Sequence, residues 1–444
     1  MNNKKTHSVF IYNPIEDEWP FISSLPLRKQ KDYIESSNRF ADCYLFANAS
    51  LPSFTLITPI QLDSEFISYF QTLSGSSCTV LTPRSTSPFL CESIVNDSLI
   101  FKQLIQESKK MGSITLYAYA ISSQLFVLIK KLKKAGVIVY LPEGPLEKDL
   151  WTIEQFGSKA GFRKFFAHLM PPGAIYKKIS SARVDAKKRF IEGEGVVLKT
   201  DRGNAGNGVF IFKKDPTETD KTIGKHIQNI FIKHPYLKKH ALVVEDFINT
   251  SNEKRCPFPS IECFIHQDGR IEIPYYCNMI VSPEGEFYGM EMHESVFTKK
   301  IKSAVFAITR EIAKTYRENG YRGRFDVDMI CDGANVYADE SNTRINGGTD
   351  TYMIVKKLIG ESFFSSRYVF AHYLAIVPPN SHTLKTILEL CKSLLYNAKT
   401  KRGMVINSGS AIASGGLSYI IIEKSKALAL KMNEQLKVLM TQKK

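Results

Sequence analysis

A glycine-rich segment between two apolar strands constrains the fold more than any other part of the chain. Gly195 to Leu198 and Val209 to Phe212 have strand patterns, and Gly203, Gly206 and Gly208 fall between them. No helical pattern follows these glycines, whereas the P-loop and the Rossmann fingerprint both require a helix at that point. The sequence therefore excludes those two nucleotide-binding motifs here and predicts a glycine-rich hairpin.

This hairpin has the composition of a flap over a polyphosphate. Glycine allows backbone N–H groups to approach phosphate oxygens closely. Lys199, at the end of the first strand, can reach the same phosphates. The alternative interpretation is an ordinary flexible hairpin turn.

A second hairpin is predicted from Arg322 to Arg344. Phe325 to Cys331 forms the first strand, Asp332-Gly333 supplies the turn, and Val336 to Ala338 begins the return strand. We expect these strands to pair, because the apolar residues and the turn have hairpin spacing.

Acidic and amide side chains follow this second hairpin on one face. Asp326 and Asp328 are two residues apart on the first strand, and Glu340 and Asn342 are two apart on the return strand. Asp328, Glu340 and Asn342 would offer three hard oxygen ligands, which suits Mg²⁺. Asp326 could be a second acid at the site or face solvent. The alternative is a polar-faced hairpin without a metal.

At 444 residues the chain is long for a single core, so two or three domains are expected. From His7 to about Glu143 strands alternate with helices, two of them capped by Asp63 and Asp97, which predicts a parallel sheet covered on both faces. The first domain boundary is placed at Pro142 to Pro145. The predicted domains are 1–145, 146–372 and 373–444.

Local patterns predict further elements in the second and third domains. They are a continuous helical stretch from Trp151 to Leu169, an amphipathic helix from Lys299 to Asn319, and a small-residue loop from Ser408 to Ser414. The third domain is expected to be a small α/β unit.

The chain has a formal net charge of +15, and residues 373–444 hold 11 Lys and Arg against three acids. This excess of positive charge could bind nucleic acid, an anionic membrane or anionic substrates, or it could form a solvated basic face. No dense basic block interleaved with aromatic residues is present, so nucleic acid is not expected as a partner. The uncharged run Ile114 to Ile129 is too short to span a bilayer, so no membrane association is expected. A cytoplasmic protein is the expectation.

Several motifs in a fixed order resemble the ATP-grasp superfamily of carboxylate–amine ligases, over roughly residues 150–373. They are Lys159, Lys199 with the glycine-rich segment, Val243 to Ile248, Asp328, and Glu340 to Arg344. The segment Asn342 to Thr349 and the C-terminal tail are similar to the pheganomycin-type peptide ligase branch. The resemblance implies an N-terminal pre-ATP-grasp-like α/β domain, an ATP-grasp domain and a small basic C-terminal α/β domain.

The resemblance also implies a nucleotide site. Lys159 would be the first nucleotide-binding lysine, with Lys164 as its nearest competitor, and Glu262 would bind ribose, with Glu253 as its rival. The other implied contacts are Lys199 with Gly203, Gly206 and Gly208 at the phosphates, and Glu245, Asp246, Phe247 and Ile248 at adenine.

The implied metal ligands are Asp328, Glu340 and Asn342, and the implied catalytic residues are Lys199 and Arg344. The implied reaction is ATP- and Mg²⁺-dependent joining of a small-molecule or peptide carboxylate to an amine, through an acyl phosphate, with release of ADP and phosphate. The alternative is a catalytically silent nucleotide-binding regulatory protein. A homo-oligomer is compatible with the sequence.

Overall fold

The computed structural model describes residues 6–84, 87–203, 206–214, 220–253, 255–376, 383–413 and 415–441. Within these ranges the strands form sheets of five, four and eight strands. The first sheet is parallel and the other two are antiparallel, which confirms the predicted mixture of α/β and α+β architecture.

The N-terminal sheet contains β1 (His7–Ile11), β2 (Ser53–Ile57), β3 (Ser77–Leu81), β4 (Ile114–Ala118) and β5 (Val139–Tyr140). Its order is β3-β2-β1-β4-β5, and every neighbouring pair is parallel. Its helices are α1 (Pro14–Ile22), α2 (Leu27–Asn38), α3 (Cys43–Ala47), α4 (Ser64–Ser74), α5 (Leu90–Asn96), α6 (Ser98–Met111) and α7 (Ser123–Lys134).

Both predicted helix caps are confirmed. Asp63 accepts a hydrogen bond from the first turn of α4, and Asp97 accepts two from the first turn of α6. The helices α1 to α3, between β1 and β2, correspond to no sequence prediction. α1 begins with Pro14, whose missing N–H would have no helical partner in any case.

The four-stranded sheet is built from β6 (Gly173–Tyr176), β7 (Gly195–Thr200), β8 (Val209–Lys213) and β9 (Leu242–Asp246), in the order β6-β9-β7-β8. The helices of this region are α8 (Trp151–Phe156), α9 (Lys159–Phe166), α10 (Ile179–Glu192) and α11 (Asp220–Lys233). Single-turn 3₁₀ helices span Glu147–Asp149, Ala167–Leu169 and Pro235–Lys239.

The prediction of one continuous helix from Trp151 to Leu169 is wrong. The chain breaks at Gly157, and Ser158 starts α9 by capping it. A serine hydroxyl competes for backbone N–H groups, which favours a helix start over a helix interior. The predicted glycine-rich hairpin is confirmed, since β7 and β8 pair directly with one another.

The eight-stranded sheet contains β10 (Pro259–Ile265), β11 (Ile271–Val281), β12 (Phe287–Met292), β13 (Gly323–Cys331), β14 (Val336–Asn342), β15 (Tyr368–Ile376), β16 (Gly403–Ser408) and β17 (Gly416–Glu423). Its order is β14-β13-β10-β11-β12-β15-β17-β16. The associated helices are α12 (Lys299–Glu318), α13 (Thr349–Ile359), α14 (Phe363–Ser366), α15 (Leu384–Leu390), α16 (Gly409–Ala413) and α17 (Lys426–Thr441).

The C-terminal strands continue this large sheet. β15 pairs with β12 on one side and with β17 on the other, so the predicted boundary between residues 372 and 373 falls inside a strand. Residues such as Phe46 on α3, Phe166 on α9 and Ile420 on β17 belong to one buried apolar cluster. This cluster crosses both predicted boundaries, so the division into three domains stays a prediction.

The predicted loop from Ser408 to Ser414 contains a short helix, α16, so that prediction is wrong. The Ser408 hydroxyl accepts a hydrogen bond from the backbone N–H of Ala411, and Asp42 accepts one from the backbone N–H of Ser410. The second contact comes from a residue 368 positions away, which local patterns cannot reveal.

Candidate nucleotide and metal site

Lys159 is placed by the break between α8 and α9, because Ser158 caps α9 immediately before it. The Lys159 side chain is buried, and its Nζ atom lies 2.7 Å from Glu340 Oε2 and 3.0 Å from the carbonyl oxygen of Gly203. Its competitor Lys164 is exposed. Lys159 therefore connects the glycine-rich segment with the β13–β14 hairpin.

Lys199 lies on β7, just before the glycine-rich segment, and is 3% exposed. Its Nζ atom is 2.7 Å from Glu245 Oε2 and 2.5 Å from Asp339 Oδ1. Burial acts to lower the pKa of Lys199, but the Asp339 and Glu245 carboxylates outweigh it and raise the pKa above its ordinary value. Lys199 is therefore held as a cation inside the protein.

Glu245, predicted to lie near adenine, is buried between two cations. Its Oε2 atom contacts Lys199, and its Oε1 atom is 2.6 Å from Arg163 Nη2. Burial acts to raise the pKa of Glu245, yet Lys199 and Arg163 together lower it, so the carboxylate is ionised. Arg163 was not predicted at the site. Its spacing of four residues from Lys159 on one helix was the signal that could have revealed it.

The backbone after Glu245 is partly engaged within the protein. The Asp246 N–H donates to the carbonyl of Pro172 at 2.8 Å, and the Phe247 N–H donates to the carbonyl of Gly195 at 3.2 Å. If Asp246 and Phe247 contact the edge of adenine, their backbone carbonyl groups would therefore make the contact. The base-edge role of Ile248 stays a prediction.

The paired strands β13 and β14 bring the candidate metal ligands together. Asp328 lies directly opposite Glu340, and Asp326 lies directly opposite Asn342. The Asn342 side-chain amide donates to Asp326 Oδ1 at 2.9 Å and to Asp328 Oδ2 at 3.4 Å. Asp326 is buried, so it does not face solvent and is a second acid beside Asp328.

A β-bulge adds Asp339 to this group. Strict alternation would direct Asp339 away from Glu340, so it was not predicted at the site. The pairing shifts from Asp328 with Glu340 to Met329 with Ala338, which leaves Asp339 as the extra residue of β14. Bulges redirect side chains in this way, and here the bulge lets Asp339 contact Lys199.

Asp328 gives the strongest indication of a cation site. Its Oδ1 atom is buried without a hydrogen-bond partner. Burial raises the pKa of Asp328 well above its ordinary value, and the neighbouring Asp326 and Glu340 carboxylates raise it further. A divalent cation would relieve both the orphaned oxygen and the repulsion, so these residues fit Mg²⁺.

One of the predicted metal ligands, Glu340, already has a cationic partner. Among the described residues, no group of three or more His, Cys, Asp or Glu side chains is arranged to hold a metal ion. The predicted set contains two acids and one amide, and Glu340 is turned toward Lys159. A bound cation would therefore compete with Lys159 for Glu340.

Glu262 is fully buried on β10, opposite Asp326. Its carboxylate lies 2.8 Å from Arg324 Nη1 and accepts a hydrogen bond from Thr349 Oγ1 at 2.5 Å. Its rival Glu253 accepts backbone N–H groups of its own loop. Both acids are engaged within the protein, and a ribose-binding role for either stays a prediction.

The flap glycines adopt backbone conformations that favour glycine. Gly203, Gly206 and Gly208 have φ angles of 137°, 84° and 80°. A Cβ atom at Gly208 would lie 1.9 Å from Thr200 Cγ2, so space also requires glycine there. The remaining flap positions, 204 and 205, lie outside the described residues.

Arg344 is buried where the hairpin meets the N-terminal region. Its Nε atom is 3.1 Å from Asp17 Oδ2, its Nη2 atom is 3.0 Å from Asn342 Oδ1, and its guanidinium lies over the Tyr119 ring, 5.4 Å from the centroid. Burial acts to lower the pKa of Arg344, but Tyr119, Asp17 and Glu18 raise it. Asp17, Glu18 and Tyr119 were not predicted at the site, because they are distant in sequence.

Comparison with known proteins identifies the fold. No protein-family model matches the sequence, and no curated protein matches it. Solved structures match almost the whole chain. The ADP complex of PurK, an N5-carboxyaminoimidazole ribonucleotide synthetase, has a TM-score of 0.57 at 10% identity, covering 99% of this chain and 98% of that one.

Two further structures are similar to a comparable degree. The biotin carboxylase domain of Hydrogenobacter thermophilus 2-oxoglutarate carboxylase, a dimer with MgADP, ADP and bicarbonate, has a TM-score of 0.54 at 12% identity, covering 98% of this chain and 90% of that one. An L-amino acid ligase from Bacillus licheniformis has a TM-score of 0.50 at 13% identity, covering 98% of each chain.

These solved structures are ATP-grasp enzymes, and this chain has the ATP-grasp fold. In the described part of the chain, no helix has the length and apolar character needed to cross a membrane.

Proposed function

We propose that this chain is an ATP-dependent carboxylate–amine ligase that activates its acid as an acyl phosphate and releases ADP and phosphate. One observation carries the proposal. Three buried cations of an ATP-grasp fold lie against a paired-strand cluster of oxygen ligands: Lys159, Lys199 and Arg344 beside Asp328, Asp339, Glu340 and Asn342. The ADP and MgADP complexes of proteins with similar folds support a nucleotide at this site.

The ion pairs of the site also support a phosphate and metal ligand. Lys159 is paired with Glu340, Lys199 with Glu245 and Asp339, and Arg344 with Asp17. A polyphosphate would compete for the lysines and the arginine, while a divalent cation would compete for the acids. A magnesium–nucleotide complex can therefore take over both partners of the Lys159–Glu340 pair, and Glu245 keeps Arg163 when Lys199 binds phosphate.

The candidate residues at the phosphates and the metal then have physical roles. Asp328, Glu340 and Asn342 would hold Mg²⁺, which neutralises phosphate charge when bound. Lys199 and Arg344 would stabilise the negative charge on the phosphoryl group during its transfer. The glycine-rich flap would exclude water, which would otherwise hydrolyse the activated acid.

The proposed reaction needs no covalent enzyme intermediate. A carboxylate is a poor electrophile, so its oxygen first attacks the γ-phosphorus of ATP and ADP leaves. The amine then attacks the acyl carbon of the resulting acyl phosphate. The C–O bond to phosphate breaks, the amide forms, and the amine loses its proton.

We further propose amino-acid or peptide substrates, as in the pheganomycin-type peptide ligases. The similarity of Asn342 to Thr349 and of the C-terminal tail to that branch supports this finer assignment, as does the fold shared with an L-amino acid ligase. In this proposal the regions 1–145 and 373–444 flank the ATP-grasp region 146–372 and shape the acid and amine pockets.

The decisive experiment supplies Mg²⁺-ATP with pools of amino acids and peptides. The expected products are ADP, phosphate and a new species whose mass equals acid plus amine minus water. Formation of AMP and pyrophosphate would refute the acyl-phosphate route. Tight nucleotide binding without turnover for any pool would favour the alternative, a catalytically silent nucleotide-binding regulator.

A further inference from the structure

A cavity lies between the α1–α2 segment and the loop that carries Arg344. Its cavity volume is about 40 Å³, and it is partly open to solvent. One wall comes from α1 and α2 and the other from β14, Lys159 and the flap. The cavity therefore adjoins the groups to which the proposed function assigns phosphate.

The wall from α1 is held in place by Glu16. This buried carboxylate accepts a hydrogen bond from the backbone N–H of Cys91 at 2.8 Å and another from the Ser122 hydroxyl. The following acids, Asp17 and Glu18, both line the cavity. An anchored helix thus presents two carboxylates to the space beside Arg344.

The remainder of this wall is aromatic. Phe21, four residues after Asp17, lines the cavity on the same helix face. Its ring lies 5.6 Å from that of Tyr33 on α2 and 5.5 Å from that of Tyr236, near the four-stranded sheet. The cavity therefore combines an acidic end with an apolar surface.

The charge balance of the cavity depends on the state of Arg344. Arg344 is paired with Asp17 at 3.1 Å and lies close enough to Glu18 for that acid to raise its pKa. If Arg344 binds a phosphate group, it is drawn away from these acids. Asp17 and Glu18 then favour a positively charged ligand beside the acyl phosphate and disfavour an anion.

We propose that Asp17 and Glu18 bind the ammonium group of the amine substrate, with its apolar substituent against Phe21 and Tyr33. This inference rests on the proposed ligase function. It identifies the amine as a primary, positively charged one, such as an amino-acid amide, an amino acid or a peptide N-terminus. An N-acylated amino acid lacks the charge and would not bind there.

Calorimetric binding tests this proposal without turnover. The wild-type protein, saturated with Mg²⁺ and a non-hydrolysable ATP analogue, is titrated with glycinamide, leucinamide and phenylalaninamide, and in parallel with the N-acetyl amino acids. We expect at least one amide to bind and the N-acetyl compounds not to bind. The double variant Asp17→Asn, Glu18→Gln should weaken amide binding at least about tenfold, because an ammonium loses its charged acceptors.

The matched control is Asp32→Asn, which removes one acid from the exposed side of α2. It should bind the amides and the nucleotide analogue as the wild type does. The analogue is kept saturating for every variant, because replacing Asp17 also removes a competitor for Arg344. Binding of the N-acetyl compounds alone, binding of no amide, or unchanged amide affinity in the double variant would each overturn the inference. The proposed ligase function is tested separately, by ADP formation. If amides bind but no ADP forms, the ligase function fails while the amine site stands.

Discussion

Replacing Asp42 by Asn should remove a pH dependence of stability that one buried carboxylate creates. Asp42 lies just before α3 and is 2% exposed. Its oxygens accept hydrogen bonds from Ser408 Oγ at 2.9 Å and from the Ser410 N–H at 2.7 Å. Burial raises the pKa of Asp42 from 3.8 to about 6, because these hydrogen bonds offset desolvation only in part.

The sign of the effect follows from proton binding. Between pH 3.8 and about 6 the folded protein binds a proton at Asp42 more readily than the unfolded chain does. The stability from this group is therefore fully present below pH 3.8 and is lost as the pH rises through about 6. A shift of roughly 2 pKa units corresponds to about 3 kcal/mol. The free energy of unfolding of Asp42→Asn, relative to that of the wild type, should thus increase by about 2 to 3 kcal/mol as the pH rises from 4 to 7.5.

Urea unfolding followed by far-UV circular dichroism, at intervals from pH 4 to pH 7.5, measures this difference. Burial raises the pKa of Asp350 to about 7. Its contribution to the pH dependence is present in both proteins and largely cancels in the comparison. The exposed-acid variant Asp32→Asn serves as the control for loss of one charge. A difference in unfolding free energy between Asp42→Asn and wild type that does not vary with pH would refute the reasoning.

The remaining predictions concern the site. Lys199→Ala should abolish turnover and lower the free energy of unfolding by about 3 to 5 kcal/mol, because it removes one partner of two buried ion pairs; unchanged stability by urea unfolding would contradict this. Glu340→Ala should abolish turnover, measured as ADP release, with a smaller loss of stability, because its side chain is 24% exposed; wild-type turnover would mean that the site is misplaced. Gly208→Ala should weaken nucleotide binding measured by calorimetry, because its Cβ would meet Thr200. Gly75→Ala, also at positive φ but with nothing near its Cβ, should cost stability without changing nucleotide affinity.

Much of the site could be predicted because its residues lie within strands of regular period. Asp328 and Glu340 meet across the β13–β14 hairpin as two-residue alternation requires. Asp339 could not be predicted, since a bulge reverses the direction that alternation assigns. A bulge depends on how two strands pair and leaves no mark in either strand alone.

The N-terminal helices α1 and α2 were missed for a different reason. α1 carries Pro20 in its interior, which argues against a helix, and α2 has no buried residue to mark an apolar face. The residues that these helices bring to Arg344, among them Asp17, depend on contacts across 327 positions of sequence. Likewise, the pairing of β15 with β12 and β17 is a tertiary arrangement that local propensity does not determine.

The contact between Asp42 and Ser410 also bears on how the chain is made. Its partners are 368 residues apart, so at about 5 to 20 residues per second a ribosome needs roughly 20 to 70 s to deliver the second after the first. During that interval α3 lacks α16, and β12 lacks β15, leaving apolar surface and a strand edge for chaperones to protect. Contacts between residues so distant in sequence predict slow, late completion of folding.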